Sequence, residues 1–391
     1  MLEALATTSF LEDWCYPSPR LPDKKEICDL LVVFDRVAII WQVKNLTLRK
    51  DGRYHPAEVE KNLRQLEGAR RTLFDLSKPI TLANPRRGPE LFDPSKIQEV
   101  FLISLLAGEG EEIFSPLVEA KNRPVHVFTS TFADIVLNEL DTISDFVAYL
   151  RAKEALLGAL PKLVVEGGEQ ELLALYLFNE RGFDNFQGLT MAVVEEGHWE
   201  KLKQRSEYIA KQRANEPSYL WDLMINRAHE SGNPRYELIA REMARLTRFE
   251  RRYLAKGFLE GHRLANDDLA NNVFRRTVPF NGRTYCFLYA GTPPKPEERE
   301  GDFRRLNLQL QCVTARVKFP DEKLVIGIAT EKRIADHSSF DFCLLDNPAP
   351  TPEEIEEVAA LQRDTGIFSN ITLTRLHEVE YPREKKEEKP E

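Results

Sequence analysis

The apolar positions of the first third of the chain change period several times, and each change marks an element. Residues 2–14 read as a short helix, followed by a loop punctuated by Pro17, Pro19 and Pro22. Ile27–Lys44 (ICDLLVVFDRVAIIWQVK) holds two runs rich in β-branched and aromatic residues on either side of Asp35-Arg36, the pattern of a β-hairpin. From Pro56 to about Leu76 the spacing becomes helical, with Val59, Leu63, Leu66, Ala69 and Leu73 three or four apart. A proline-rich loop through Pro79, Pro85, Pro89 and Pro94 leads to Val100–Leu106 (VFLISLL), a continuous apolar run that predicts a buried strand. Val125–Phe128 predicts another strand, and residues 132–158 a helical stretch.

This order predicts an α/β unit over 1–130 and a helical connector over 131–164, which either closes that unit or links it to the next, with Pro161 and Gly167-Gly168 at its end. A second, α+β domain is expected over 165–380, helix-rich first. Its strands are expected near Thr284–Ala290, Leu324–Ala329, Phe340–Leu345 and Ile371–Leu376. Thr351-Pro352-Glu353-Glu354 is a helix start, with a threonine cap, a proline in the first turn and a glutamate three residues after the cap. The tail, residues 381–391 (YPREKKEEKPE), has too few apolar groups to pack and is expected to be disordered.

Composition narrows the class. The chain has 391 residues, with 42% hydrophobic and 30% charged, as expected of a globular protein of two domains or more. No apolar run approaches the roughly 20 residues of a membrane helix, so no membrane partner is expected. The N-terminal stretch has no basic segment and carries Glu3, Glu12 and Asp13, so a secretory signal is not expected. Five scattered cysteines with no CxxC pair argue against a zinc ribbon or a disulfide scaffold, and fit reduced thiols in the cytoplasm. The net charge of -9 argues against a protein that coats polyanions generally. Residues 1–95 are nonetheless near neutral, with 15 Lys+Arg against 14 Asp+Glu.

The hairpin carries the candidate chemistry. A two-residue turn at Asp35-Arg36 pairs Phe34 with Val37 and, counting outward, Asp29 with Gln42. Paired residues share a face, and so do alternate residues along a strand. Asp29, Gln42 and Lys44 therefore converge at the open end of an otherwise apolar strand pair, where unpaired charge would be costly. A divalent cation explains them. Asp29 offers a carboxylate oxygen, Gln42 an amide oxygen and Val43 its backbone carbonyl, a hard and sparse ligand set that suits Mg²⁺ or Mn²⁺. Lys44 beside it would orient or deprotonate an attacking water, or stabilise charge on a phosphate oxygen. The chemistry is metal-assisted phosphodiester hydrolysis.

Asp29, the intervening hairpin and Gln42-Val43-Lys44 resemble the signature of the PD-(D/E)XK nuclease superfamily, in its Q-x-K form. The resemblance covers roughly the first third of the chain. It implies a restriction-endonuclease-like core, a mixed sheet flanked by helices, with Asp29 and Gln42 as metal ligands and Lys44 as the catalytic lysine. It further implies DNA as substrate, in a restriction or anti-phage setting, with the C-terminal region supplying target recognition, a protein-partner surface or a homo-oligomer contact. Cys28 stands where the family name has proline. Gln42 replaces an acid, and members with that exchange draw a glutamate from the leading helix. Glu12 is the best-placed candidate, Glu3 the second, and Glu26 lies on the opposite strand face. The alternative is a nuclease-like fold without activity that binds nucleic acid or a protein.

Two basic stretches were weighed as phosphate contacts: Lys61, Arg64, Gln65, Arg70 and Arg71 on the predicted helix, and Arg241–Lys256. The first interleaves with Glu58, Glu60 and Glu67 and reads as a solvated face; the second is more basic and reads equally as a nucleic-acid-facing helix or as a solubilising face. No P-loop or GxSxG elbow is present, and Asp336-His337-Ser338 is too contiguous to form a triad. His55 and His126 stand alone and read as packing or surface histidines.

Overall fold

Asp35 takes up the left-handed conformation (φ 51°), which aspartate tolerates, and turns the chain between Leu30–Phe34 (β2) and Val37–Thr47 (β3). Phe34 faces Val37 and Leu30 faces Trp41, the register expected from the two-residue turn. The computed structural model describes residues 2–75, 79–268, 270–293, 299–332, 339–346, 349–369 and 371–383. It divides into two units, residues 1–209 and 210–391.

In the first unit, Leu2–Phe10 (α1) precedes Cys15–Pro17 (β1), which pairs antiparallel with β2. After β3 comes Pro56–Phe74 (α2), with proline in its first turn, then the hairpin Ile80–Asn84 (β4) and Gly88–Phe92 (β5) inside the proline-rich segment. Glu99–Glu109 (β6) runs parallel to β3 over its whole length. Leu117–Ala120 (β7) and Arg123–Thr129 (β8) complete a mixed six-stranded sheet of order β1-β2-β3-β6-β8-β7. Alternation sends Ala38, Ile40 and Leu31 to one face, where they pack with Leu66, Ala69 and Leu73 of α2. Trp41 goes to the other face and stacks on Phe146 at 5.8 Å. That face is covered by α1, by Ser130–Glu139 (α3) and by Ile143–Ala159 (α4).

Residues 131–164 are therefore part of the first core rather than a connector. Phe132 and Phe146 cover the sheet, and Thr142 caps α4 where the helical stretch divides in two. The same unit continues through Lys162–Val165 (β9), Glu169–Phe178 (α5), Met191–Val194 (β10, parallel to β9) and His198–Lys203 (α6). The division falls inside Ser206–Asn215 (α7), well beyond the expected boundary.

The second unit begins with three further helices, Tyr219–Glu230 (α8), Pro234–Ala244 (α9) and Arg248–Asp267 (α10). Val273–Phe280 (β11), Arg283–Ala290 (β12), Leu324–Glu331 (β13) and Asp341–Asp346 (β14) follow, forming a sheet of order β11-β12-β13-β14. β12 and β13 are parallel and joined by Glu300–Lys318 (α11). Pro352–Thr365 (α12) carries the expected capping box between Thr351 and Glu354. The strand expected near Ile371–Leu376 is not formed. Its described residues carry no regular structure: Leu373 is 92% exposed, and Thr374 meets the edge strand β11 through the Arg276 side chain rather than through a backbone ladder. Tyr381 lies 5.6 Å from Lys211 Nζ; the rest of the expected disordered tail, from residue 384, lies outside the described residues, as does Asp336-His337-Ser338. No helix among the described residues is long and apolar enough to cross a membrane.

Two packing features give direct tests. Gly108 pairs with Leu46 at φ 136°, and a Cβ there would stand 1.8 Å from the Leu46 carbonyl oxygen. Gly108→Ala is expected to destabilise the first unit by roughly 3 kcal/mol, read as a lowered urea midpoint, because neither strand can yield. His126 on β8 is buried, with Nε2 3.0 Å from Glu154 Oε1. Burial, reinforced by the Lys153 charge, holds its pKa well below the usual histidine range. The unfolded chain takes up a proton at His126 near pH 6.5 that the native chain refuses, so stability rises with pH through this window and is lost as pH falls below about 6.5. The melting temperature should drop on acidification, and His126→Gln should flatten that slope.

Candidate functional site

β2 ends at Leu30, opposite Trp41, while β3 runs on to Thr47. The Asp29 N–H still donates to the Trp41 carbonyl at 3.2 Å. Beyond that point the outer edge of β3 has no strand partner on the β2 side. Asp29 fills the gap with its side chain. Its Oδ2 accepts the Val43 N–H at 2.7 Å and the Gln42 Nε2–H at 2.5 Å. Val43 therefore presents its N–H and its carbonyl to the side that β2 has left, and the carbonyl has no ladder partner there. Asp29, Gln42 and Val43 meet as the register predicts, and all three are half-buried.

Lys44 shares the Gln42 face but reaches helix α2, where its Nζ lies 2.8 Å from Glu58 Oε2. The ammonium holds the Glu58 carboxyl below the usual glutamate range through a hydrogen bond and its charge. Glu58 sits in the first turn of α2, where the helix dipole also favours an anion. One turn on, Asn62 is 0% exposed and donates to Ser104 Oγ at 2.7 Å and to the Gln42 carbonyl at 3.3 Å. Ser104 lies opposite Gln42 on β6. Asn62 thus ties α2, β3 and β6 together directly beneath the candidate ligands.

Glu58 and Asn62 are the functional side chains that sequence reasoning passed over. The available signal was Asn62, a polar residue at the edge of the apolar stripe of α2. A buried amide must find partners, and its partners are the candidate site.

The donor set fits a hard cation. Asp29 Oδ1 accepts no hydrogen bond among the described residues, and Gln42 spends its nitrogen on Asp29, which leaves its oxygen. With the Val43 carbonyl these are three oxygen donors, the ligand type of Mg²⁺ and Mn²⁺. Only one is charged, and among the described residues no group of three or more His, Cys, Asp or Glu could hold a metal ion. Glu12 does not add the missing carboxylate. It pairs with Arg86 at 2.6 Å, on the β4–β5 hairpin, where Arg86 also meets Asp13.

The basic stretches have other roles. Arg241–Lys256 is broken between α9 and α10 by the Thr247 cap. Arg248 and Arg251 are buried and share Asp222 at 2.8 and 2.6 Å, while the fully buried Arg252 donates to the Val379 and Glu380 carbonyls. None of these three arginines is open to a phosphate backbone. On α2, Arg64 pairs with Glu60 and the buried Arg70 with Glu67. Comparison with protein-family models, with curated proteins and with solved structures finds no match for this chain.

Proposed function

We propose that the Asp29–Lys44 site is a metal-dependent phosphodiesterase centre that cleaves DNA, carried on a fold of the PD-(D/E)XK type. The observation that carries the reading is the meeting of the Asp29 carboxylate, the Gln42 amide and the Val43 backbone where β3 outruns β2, with Lys44 next on the same face. The element order supports it: a leading helix, an antiparallel meander β1–β3, helix α2 and the parallel strand β6 correspond to the core that the resemblance implies.

Asp29 Oδ1, Gln42 Oε1 and the Val43 carbonyl would hold Mg²⁺, which supplies Lewis-acid stabilisation of the phosphate. Asp29 also fixes the Gln42 amide, so the two side chains act as one unit. Lys44 would donate from its ammonium to a phosphate oxygen, and Glu58 holds that ammonium in place. Asn62 anchors β3, the strand that carries Gln42, Val43 and Lys44. The second unit is the source of target choice in this reading, because a hairpin and one helix offer little surface for specificity.

One observation favours a second reading, an inactive nuclease-like fold that binds nucleic acid or protein. Asp29 already receives two hydrogen bonds and Lys44 is already paired with Glu58, so the polar groups have protein partners without an ion. Incubation of the full chain with plasmid and with single- and double-stranded oligonucleotides, with Mg²⁺ and with Mn²⁺, separates the two. The nuclease converts at least one of them; the binding module shifts their mobility and leaves them intact.

A further inference from the structure

Three of the five cysteines meet in the second unit, far apart in sequence. Cys286 on β12 pairs with Gly327 on β13, and Gly327 pairs in turn with Cys343 on β14. Paired residues on adjacent strands point to the same face, so two thiols flank a position that has no side chain. Cys312 of α11 fills that position. A Cβ on Gly327 would stand 2.5 Å from Cys312 Sγ, so the sulfur lies directly over the glycine, between the other two. Any larger residue at 327 would push it away. The three cysteines belong to one packed cluster with Leu288, Leu308 and Val325.

Their exposures differ in a useful way. Cys286 and Cys312 are 0% exposed, whereas Cys343 is partly exposed on the edge strand β14. All are free thiols. Cys286 and Cys343 together hold the Cys312 thiol above the usual cysteine range, and Cys312 beside it holds the Cys343 thiol below that range. The outer sulfur is the one a small oxidant reaches first, and Cys312 over Gly327 is its buried neighbour. Free thiols packed this closely support sulfur exchange.

We infer that Cys343 and Cys312 form a peroxide-sensitive disulfide site built around Gly327. The Cys343 thiolate attacks one oxygen of a hydroperoxide. The O–O bond breaks, an S–O bond forms, and hydroxide (or alkoxide) leaves, with sulfur oxidised to the sulfenic acid. Cys312 then attacks that sulfur. The S–S bond forms, the S–O bond breaks, and water leaves with the Cys312 proton. With hydrogen peroxide the net change is two thiols and one peroxide giving one disulfide and two waters.

The test uses the full chain, reduced, desalted and treated with stoichiometric hydrogen peroxide. Remaining thiols are then alkylated in denaturant and the peptides mapped by mass spectrometry. The expected main product is a Cys312–Cys343 cross-linked peptide pair, two hydrogens lighter than the reduced pair and restored by dithiothreitol, with Cys15 and Cys28 alkylated as thiols. Cys343→Ser should abolish the cross-link and leave Cys312 alkylated. If that variant fails to fold, the wild-type map decides alone. Recovery of Cys312 as a free thiol while Cys343 is driven to sulfinic acid would overturn the inference, as would oxidation spread evenly over all five cysteines.

Discussion

Lys44→Ala is expected to lower the rate of Mg²⁺-dependent DNA cleavage by about 10²–10⁴-fold, the range that a positioned proton donor or charge stabiliser contributes. Its cost in stability should be small. Lys44 is half-buried at the end of a strand, and its partner Glu58 is half-exposed, so water replaces the lost ion pair. Glu58→Gln keeps the shape of that side chain and removes its charge. It should reduce the rate by about tenfold, the scale seen when a group that orients an active residue is lost. Lys44→Arg should not rescue, since a planar fork does not replace a compact ammonium at this spacing. Equal cleavage by wild type and Lys44→Ala would remove the lysine from the mechanism.

The largest expected stability effect lies elsewhere in the first unit. Lys153 on α4 is completely buried, its Nζ 2.5 Å from Glu169 Oε1 on α5 and 5.0 Å from the Phe128 ring centroid. Tyr149 donates to the same carboxylate oxygen at 2.9 Å. Burial pushes the Glu169 carboxyl up and the Lys153 ammonium down, and each partner opposes the shift of the other. Lys153→Met removes the compensation and leaves a buried carboxylate with one hydroxyl donor. The expected loss is roughly 3–5 kcal/mol, and the double variant Lys153→Met/Glu169→Leu should recover most of it. Urea unfolding followed by fluorescence checks both, with Trp14, Trp41 and Trp199 reporting the first unit. The single variant also has a pH signature. With Lys153 gone, the upward push of burial on Glu169, the largest cause of its shift, is opposed by the Tyr149 hydroxyl alone, so the native state holds a proton that the unfolded state gives up. Its stability should rise as pH is lowered from 7 towards 5 and fall as pH is raised.

What the sequence made legible follows from which interactions are local. The β2–β3 register was readable because a two-residue turn fixes it, and the convergence of Asp29 with Gln42 followed from parity alone. Helix α2 and strand β6 were readable from period and from unbroken apolarity. Strands β1, β5 and β11 were not, because each carries proline or charge and is fixed by its neighbour rather than by its own pattern; β4 alternates buried and exposed positions but lies in a stretch that Pro79 and Pro85 mark as loop. Glu58 was missed as the partner of Lys44 because the contact exists only once the β3–α2–β6 crossover has formed. The arginines of α10 misled for the same reason. A local charge count sees Arg248, Arg251 and Arg252, but not Asp222 and the chain around Glu378 that absorb them.

The central claim is that Asp29, Gln42 and Val43 together hold one divalent cation. Titration of the full chain with Mn²⁺, with free ion read by electron paramagnetic resonance, tests it without depending on substrate or trigger. One bound Mn²⁺ per chain, displaced by Mg²⁺ and lost in a folded Asp29→Asn variant, is the expected result. No bound Mn²⁺, or the same binding in wild type and Asp29→Asn, would contradict it.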